Sequence, residues 1–246
     1  SKKTFLGRMY EVNWISSISA TVMRSSVFKM VNGFDEKFKL AEDYDLFLRI
    51  GQKTIVDYID LPLVRNRYHK NNMGKDLQEI RKFEIKAVKK YDPEEIASQL
   101  SRVYDNEEDF RIGLGRVLFK IGMTRQALQH FQKALELNRQ NEDIYYFTGN
   151  CYFKNGKHQK ADEEYGKCLA INPQHIECLN NLGVLYFHIG ESERSISELK
   201  KAVKLGKNSV EPRHNLACIK DDRPRENLRL SYLGERQFIA EEALQL

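Results

Sequence analysis

Apolar residues in the second half of the chain recur at intervals of three and four, and the whole pattern repeats every 34 residues. In the first unit Leu114 and Leu118 lie four apart, Gly122 interrupts the pattern, and Ala127 and Phe131 resume it. Such spacing places apolar side chains on one face of a helix, and glycine marks a turn. Each unit is therefore predicted to form a helix, a turn and a second helix.

Small residues keep the same register from unit to unit. They fall where the two helices of a unit must approach each other, and a large side chain there would force the helices apart. We predict a solenoid whose units span 108–141, 142–175 and 176–209. The aligned sets are Gly122, Gly156 and Gly190 in the turn, Gly115, Gly149, Gly183 and Ala217 on the first helix, and Ala127, Ala161 and Ser195 on the second.

The first half has a different pattern, which predicts both strands and helices. Residues 13–23 and 54–59 are rich in β-branched and apolar side chains, as expected of strands. Residues 27–31 predict a short helix that ends at Asn32-Gly33, and residues 41–51 have helical spacing. We therefore expect an α/β fragment up to about residue 76, followed by an all-α array.

The net charge of +5 is concentrated between residues 63 and 91, where nine basic residues face only three acidic ones. The summed field of this stretch could attract a diphosphate or an anionic membrane surface. A solvated helix face is the alternative explanation. The second half is nearly neutral and has no basic stripe with interleaved aromatic residues, which argues against nucleic-acid binding.

The four cysteines, at 151, 168, 178 and 218, all lie in the second half, with no Cys-x-x-Cys motif and no histidine at zinc-ligand spacing. Cys168 occupies the position that Ala134 and Ala202 fill in other units, which predicts a small buried side chain rather than a disulfide or a metal ligand. Reduced thiols predict a cytoplasmic protein, and the basic stretch extends this to the inner face of the membrane. No apolar run approaches the ~20 residues of a membrane span.

The 34-residue pattern resembles the tetratricopeptide repeat. The resemblance implies connecting helices at 77–107, a repeat domain at 108–222 and a polar-faced capping helix at 223–246. It also implies that a protein or peptide binds in a concave groove lined by the first helix of each unit. Packing between helices explains the aromatic residues of this groove equally well. The groove residues are Arg116, Tyr146, Asn150, Phe153, Asn181, Phe187 and His214, and Asn180 and Val184 also face or border the groove.

Two of these groove residues, Asn150 and Asn181, fall where some members of the family bind the terminal carboxylate of a peptide. Tyr146, Glu211 and Asn215 stand where that clamp would need lysine or arginine. The resemblance therefore argues against recognition of a terminal carboxylate.

Residues 14–72 resemble the acceptor-side half of a family-two glycosyltransferase of the nucleotide-sugar-binding A fold. The resemblance implies a partial domain at 1–76 of an inverting enzyme that moves a sugar from a nucleotide-sugar donor to a hydroxyl of a glycan or protein acceptor. The motifs follow the family's order: Met23-Arg24-Ser25-Ser26-Val27-Phe28, then Gly33-Phe34-Asp35-Glu36, then Glu42-Asp43-Tyr44-Asp45, then Pro62-Leu63-Val64 with Arg67 and His69.

The same resemblance implies a role for individual residues. Asp43 would remove the proton from the acceptor hydroxyl, and Glu42 would hold the acceptor. Arg67 and His69 would lie near the leaving diphosphate, where His69 could contact a divalent cation (Mg or Mn) held mostly by a missing N-terminal half. The alternatives are a charged helix N-terminus for Glu42 and Asp43, and a surface histidine for His69.

Two functional hypotheses follow from the sequence. In the first, the chain is the C-terminal part of a glycosyltransferase, inactive alone because ~75 residues are too few for a donor-binding sheet, with repeats that dock a protein or an acceptor. In the second, the chain is a non-enzymatic scaffold whose repeats bind peptides.

Overall fold

The computed structural model describes residues 4–15, 18–57, 59, 61, 64, 77–207, 209–221 and 223–231. Every regular element in these ranges is helical, and none of the ranges contains a β-strand. The chain divides into two compact units, Ser1–Met123 and Thr124–Leu246. Within the described ranges, no helix combines the length and the apolar character that a membrane span requires.

The first unit is a cluster of short helices built around α1. Helix α1 packs against α3, α5 and α6, and its residues Met9 and Tyr10 are fully buried. The hydroxyl of Tyr44 on α3 donates to the carbonyl of Met9, which ties α3 to α1. The helices are α1 (Phe5–Glu11), α2 (Ser25–Met30), α3 (Glu42–Lys53), α4 (Leu77–Val88), α5 (Pro93–Leu100) and α6 (Glu107–Lys120).

The predicted α/β fragment is wrong. Residues 13–15 and 21–24 are irregular, Ile18–Ala20 form a 3-10 turn, and residues 54–57 continue from α3 without a partner strand. A β-strand needs a neighbour that satisfies its backbone groups, and the described part of the first unit offers none. The buried apolar side chains belong mainly to the helices and their ends, as where Leu46 and Ile50 pack with Val31, whereas Val22 and Ile55 of the predicted strands are exposed.

The second unit is a series of helices in which each packs on the next. The closest pairs are α8 with α9 and α10 with α11, as the helix-turn-helix pattern predicts. The polar-faced helix predicted for 223–246 stays a prediction. Its described part, 223–231, holds a 3-10 turn at Arg225–Asn227 followed by irregular chain. The helices are α7 (Thr124–Leu137), α8 (Glu142–Lys154), α9 (His158–Ile171), α10 (Ile176–His188), α11 (Ser192–Leu205) and α12 (Val210–Lys220).

The repeated glycines have the two roles that the sequence predicts. Gly156 and Gly190 end helices with φ of 70° and 87°, in the left-handed region that glycine adopts at little cost. Gly149 and Gly183 lie inside helices at close approaches. A Cβ on Gly149 would be 2.6 Å from Cδ1 of Tyr165, and one on Gly183 would be 2.7 Å from Cγ of Leu199. The 34-residue period therefore reflects helix packing.

Candidate functional site

A row of polar side chains on α8, α10 and α12 binds the chain's own residues 223–231, which we call the tail segment, either directly or, for Asn150, through Asn181. We call the row the asparagine face. Each of its side chains is fully buried, with no exposed surface. Buried amide and hydroxyl groups are costly unless they are paired, so the partners of these side chains indicate what the face can bind. The asparagine face consists of Tyr146, Asn150, Asn180, Asn181 and Asn215.

Asn215 holds both backbone groups of Arg229. The amide nitrogen of Arg229 donates to Oδ1 of Asn215, and Nδ2 of Asn215 donates to the carbonyl of Arg229, each over 2.7 Å. Asn180 supports this pair, because its Nδ2 also donates to the Arg229 carbonyl at 3.0 Å. Oδ1 of Asn180 accepts the second hydrogen of the Asn215 amide at 2.9 Å. The Asn215 side chain is therefore fixed in a single orientation.

Asn181 holds Ser231 in the same way. The amide nitrogen of Ser231 donates to Oδ1 of Asn181 at 2.7 Å, and Nδ2 of Asn181 donates to the Ser231 carbonyl at 3.1 Å. The Asn181 amide also donates to Oδ1 of Asn150 at 2.8 Å, and that oxygen accepts the Tyr165 hydroxyl at 2.6 Å. The Tyr146 hydroxyl donates to the Ser231 carbonyl as well.

Each of these asparagine amides acts as a substitute for a neighbouring β-strand. In an antiparallel pair, a hydrogen-bonded residue uses both its N–H and its C=O towards the same neighbour. Along an extended chain these groups turn to opposite sides at successive residues, so residues two apart face the same way. Arg229 and Ser231 are two apart, and Asn215 and Asn181 are separated by one 34-residue unit.

The earlier part of the tail segment contacts the same helices. Nε2 of His214 lies 2.9 Å from the carbonyl of Asn227. The Arg225 guanidinium donates to the His188 carbonyl at 2.8 Å and lies 6.0 Å from the centre of the Phe187 ring. The tail segment thus passes from α12 at residue 227 to α10 and α8 at residue 231.

The structure brings together five of the seven predicted groove residues around the tail segment. Of the other two, Phe153 packs between His158 and His188, with ring centres 5.7 and 5.3 Å away. Arg116 lies in the first unit, where its guanidinium is 3.6 Å from a carboxylate oxygen of Glu11. The five are Tyr146, Asn150, Asn181, Phe187 and His214.

The predicted groove set left out Asn215, and the tail segment was predicted as part of a cap. One signal for Asn215 was present in the sequence. Asn215 stands one 34-residue unit after Asn181, with a polar residue before each of them, Asn180 and His214. Two polar pairs in one helical register predict a shared polar face.

The predicted catalytic pair lies at the start of α3. Glu42 is exposed, and Asp43 is half-buried with Oδ1 accepting from the backbone N–H of Tyr44 at 2.7 Å. Burial raises the pKa of the Asp43 carboxyl, partly offset by that hydrogen bond, and the charge of Glu42 raises it further. The predicted diphosphate-side residues, Arg67 and His69, lie outside the described residues. Their roles, and the divalent cation assigned with them, stay predictions.

Asp45 is the most buried carboxylate of this region, and it is fully paired. Its oxygens lie 2.9 Å from Nε of Arg49 and 2.6 Å from Nζ of Lys90. Lys90 also pairs with Asp35 at 2.9 Å and lies over the ring of Phe38. This network joins α3 to the residues that follow α4, so Asp45 has a structural role.

The buried cysteines also have structural surroundings. All four thiols are free and buried, and the burial of Cys168 agrees with the prediction from its position in the repeats. Hydrogen bonds from Cys178 and His175 lower the pKa of Cys168 to about 7. Neither Cys168 nor Cys178 has exposed surface, so no substrate reaches these sulfurs. Among the described residues, no cluster of histidine, cysteine and acidic side chains has the composition of a metal site.

Comparison with known proteins supports the repeats. Family models match residues 115–156 as "TPR repeat" and residues 142–175 and 164–197 as "Tetratricopeptide repeat". No curated protein matches the chain.

Among solved structures, a crystal structure of MamA is 17% identical over 63% of this chain and 86% of its own, with a TM-score of 0.45. The first TPR of Spaghetti (RPAP3), bound to the HSP90 peptide SRMEEVD, is 18% identical over 47% of this chain and 92% of its own, with a TM-score of 0.45. The Sgt2 TPR domain from Aspergillus fumigatus is 19% identical over 47% of this chain and 78% of its own, also at 0.45. At such low TM-scores, the assignment of the repeats depends on the family models.

Proposed function

We propose that this chain, whose residues 115–197 match tetratricopeptide-repeat models, is a scaffold that binds an extended peptide segment of a partner protein on the asparagine face. The observation that carries the proposal is the pair of amide clamps. Asn215 and Asn181 each take both the N–H and the C=O of one residue, two positions apart, from a segment that packs against α8, α10 and α12.

Binding through backbone groups predicts what the ligand must have and what it can lack. The ligand needs an extended backbone with a free N–H at two positions separated by one residue. Proline has no N–H, so it is excluded at both positions but allowed between them. Strand-like addition of a peptide obtains its affinity from such main-chain bonds, and pockets for side chains add specificity.

The scaffold hypothesis takes precedence over sugar transfer. The family models match the repeats, whereas the α/β architecture that the transferase resemblance implied for residues 1–76 is wrong. Asp43 has the surroundings of a helix N-terminal carboxylate, accepting from the backbone of its own turn. The peptide-binding hypothesis uses side chains whose partners are observed.

The test is a selection of displayed random peptides on the full chain carrying Arg229→Pro and Ser231→Pro. These substitutions remove the two N–H groups that the tail segment gives to the asparagines. Selected peptides should lose at least about tenfold in affinity when Asn181 and Asn215 are also changed to alanine, since the clamps supply several hydrogen bonds.

The matched control is Asn155→Ala, an exposed asparagine at the end of α8. It should leave the affinity unchanged, and circular dichroism should show equal helix content in all variants. A proline scan of a selected peptide should find two sensitive positions flanking a tolerant one. Selected peptides that bind equally well without Asn181 and Asn215 would contradict the proposal.

A further inference from the structure

The tail segment fits the asparagine face incompletely. Nδ2 of Asn150 is buried and has no hydrogen-bond partner, and neither has the buried Nε of Arg229. Each unpaired buried donor costs free energy, because it has lost water without gaining an acceptor. The face can therefore satisfy more hydrogen bonds than its present occupant provides.

The contacts of the tail segment are also mostly polar. Leu228 and Leu230 are only half-buried, and residues 223–227 are exposed. Ser231 alone is buried, with 6% of its surface exposed. A segment held by backbone hydrogen bonds with little apolar burial is among the first parts of a protein to open. When it leaves, the asparagine amides become accessible to water and no longer need a protein partner.

The tail segment follows α12 almost directly, since the helix ends at Lys220. A short connection gives a tethered segment an effective concentration on the order of millimolar at its own site. Any external peptide that uses the same clamps must compete with this concentration. Its apparent affinity is its intrinsic affinity multiplied by the fraction of molecules in which the face is uncovered.

We propose that residues 223–231 are a displaceable internal ligand, which covers the asparagine face until an external peptide with an extended backbone replaces it. This proposal rests on the proposed function, because it requires that the face binds peptides. It adds that binding is autoinhibited, and it fixes the polarity of the ligand. The tail segment runs from α12 to α10 and α8 in the N-to-C direction, so the external peptide should do the same.

The probe is a synthetic peptide with the sequence of residues 223–231, labelled with a fluorophore at its N-terminus. Fluorescence polarisation measures its binding to the full chain and to the full chain with Arg229→Pro and Ser231→Pro. We expect the double variant to bind the probe at least about tenfold more tightly than the unmodified chain does, because its face is uncovered. The control is Leu230→Pro. The clamps use no backbone group of Leu230, so this variant should behave like the unmodified chain.

Hydrogen exchange on the unmodified chain provides a second measurement, which requires no variant to fold. The amide hydrogens of Arg229 and Ser231 should be protected in the free chain. They should exchange at least about fivefold faster when the unlabelled peptide is added at about 1 mM, a concentration comparable with the tether. Exchange that stays slow would show that the tail segment is a permanent part of the fold, and would overturn the proposal.

The two proposals fail in different ways. If the probe binds the unmodified chain and the double variant equally well, and Asn181→Ala weakens both, the face binds peptides but the tail segment does not compete. If the double variant fails to bind any peptide up to about 1 mM while keeping its helix content, both proposals are wrong. If amide exchange stays slow while the affinity of the selected peptides depends on Asn181, only the proposal of an internal ligand is overturned.

Discussion

Asparagine side chains can replace a backbone because their amide carries a donor and an acceptor in one plane. Asn181 and Asn215 use this property in the same way on successive repeats, and each is held in place by a second asparagine, Asn150 or Asn180. The orientation of the amides is fixed by the network, since reversing Asn181 would bring two acceptor oxygens together at Asn150 and two donors together at the N–H of Ser231. Such preorganisation reduces the entropy that a ligand must overcome on binding.

Also at the scale of single residues, substitutions of Asp43 and of Asp35 should change the stability of the protein in opposite directions. Burial raises the pKa of Asp43, so its charged form opposes folding at neutral pH and its protonated form does not. Asp43→Asn should therefore raise the unfolding midpoint at pH 7. The gain should disappear as the pH falls below about 4, the ordinary pKa of the carboxyl.

The paired Lys90 lowers the pKa of Asp35, and the backbone N–H of Lys37 lowers it further. Asp35 should therefore stabilise the fold above its ordinary pKa and lose this effect as the pH falls through its folded pKa. Asp35→Asn should lower the midpoint at pH 7 and have no effect at strongly acidic pH. Thermal unfolding from pH 3 to 7 measures both variants. If the two substitutions shift the unfolding midpoint in the same direction at pH 7, this account of their surroundings is contradicted.

The residues of the asparagine face could be only partly predicted from the sequence. Asn150, Asn180 and Asn181 were predicted because the repeat register assigns them to the inner helix of each unit. The roles of Asn180 and Asn215 have no explanation until their partner is known, and that partner, Arg229, is 49 positions from Asn180 and 14 from Asn215. Periodicity reports which face of a helix is polar, but not which distant segment covers it.

At the scale of elements, the repeat half was predicted well and the first half was not. Helix-turn-helix units have a strong local signature in glycines and small residues, and those residues act locally. Apolar, β-branched stretches such as residues 54–57 are ambiguous, because a strand depends on a neighbour elsewhere in the chain. In the described first unit the helices bury their own apolar side chains, whereas Val22 and Ile55 of the predicted strands stay exposed, and the strand prediction fails.

Two glycines of the same hairpin should respond differently to alanine. Neither Gly156 nor Gly166 has another atom within 4 Å of the position of an added Cβ, so an alanine at either position would meet no steric clash with a neighbouring residue. Gly156 has a φ of 70°, which costs an alanine about 1 kcal/mol. Gly166 lies within the helix α9, where alanine is favoured by about 0.5–1 kcal/mol.

Gly156→Ala should therefore destabilise the second unit, and Gly166→Ala should stabilise it. Urea unfolding followed by circular dichroism near 222 nm gives both values, with the unmodified chain as reference. If both substitutions change stability in the same direction, backbone conformation does not explain why glycine recurs at the turn position of each repeat.

At the scale of the whole molecule, each unit contains its own spectroscopic probe. Trp14, the one tryptophan of the sequence, lies in the first unit with its ring 5.8 Å from that of Phe5. All four cysteines are buried in the second unit. Because each unit has a separate set of buried side chains, the two need not unfold together.

We expect tryptophan fluorescence and thiol labelling to give different urea midpoints on the same chain. Fluorescence should follow the first unit, and reaction of the cysteines with a chromogenic thiol reagent should follow the second. Trp14→Phe should abolish the fluorescence transition and leave the labelling curve unchanged. Coincident curves at every urea concentration would show that the chain unfolds as one cooperative body.

Because the clamps bind atoms common to nearly all amino acids, mutation can alter the exposed residues near Arg229 without releasing the tail segment. Evolution could therefore change the sequence of this occupant while keeping its inhibitory effect. The same tolerance makes the site easy to reprogram. Replacing residues 223–228 with a protease cleavage sequence, while retaining the two clamped positions, would yield a scaffold whose peptide capture is switched on by a chosen protease.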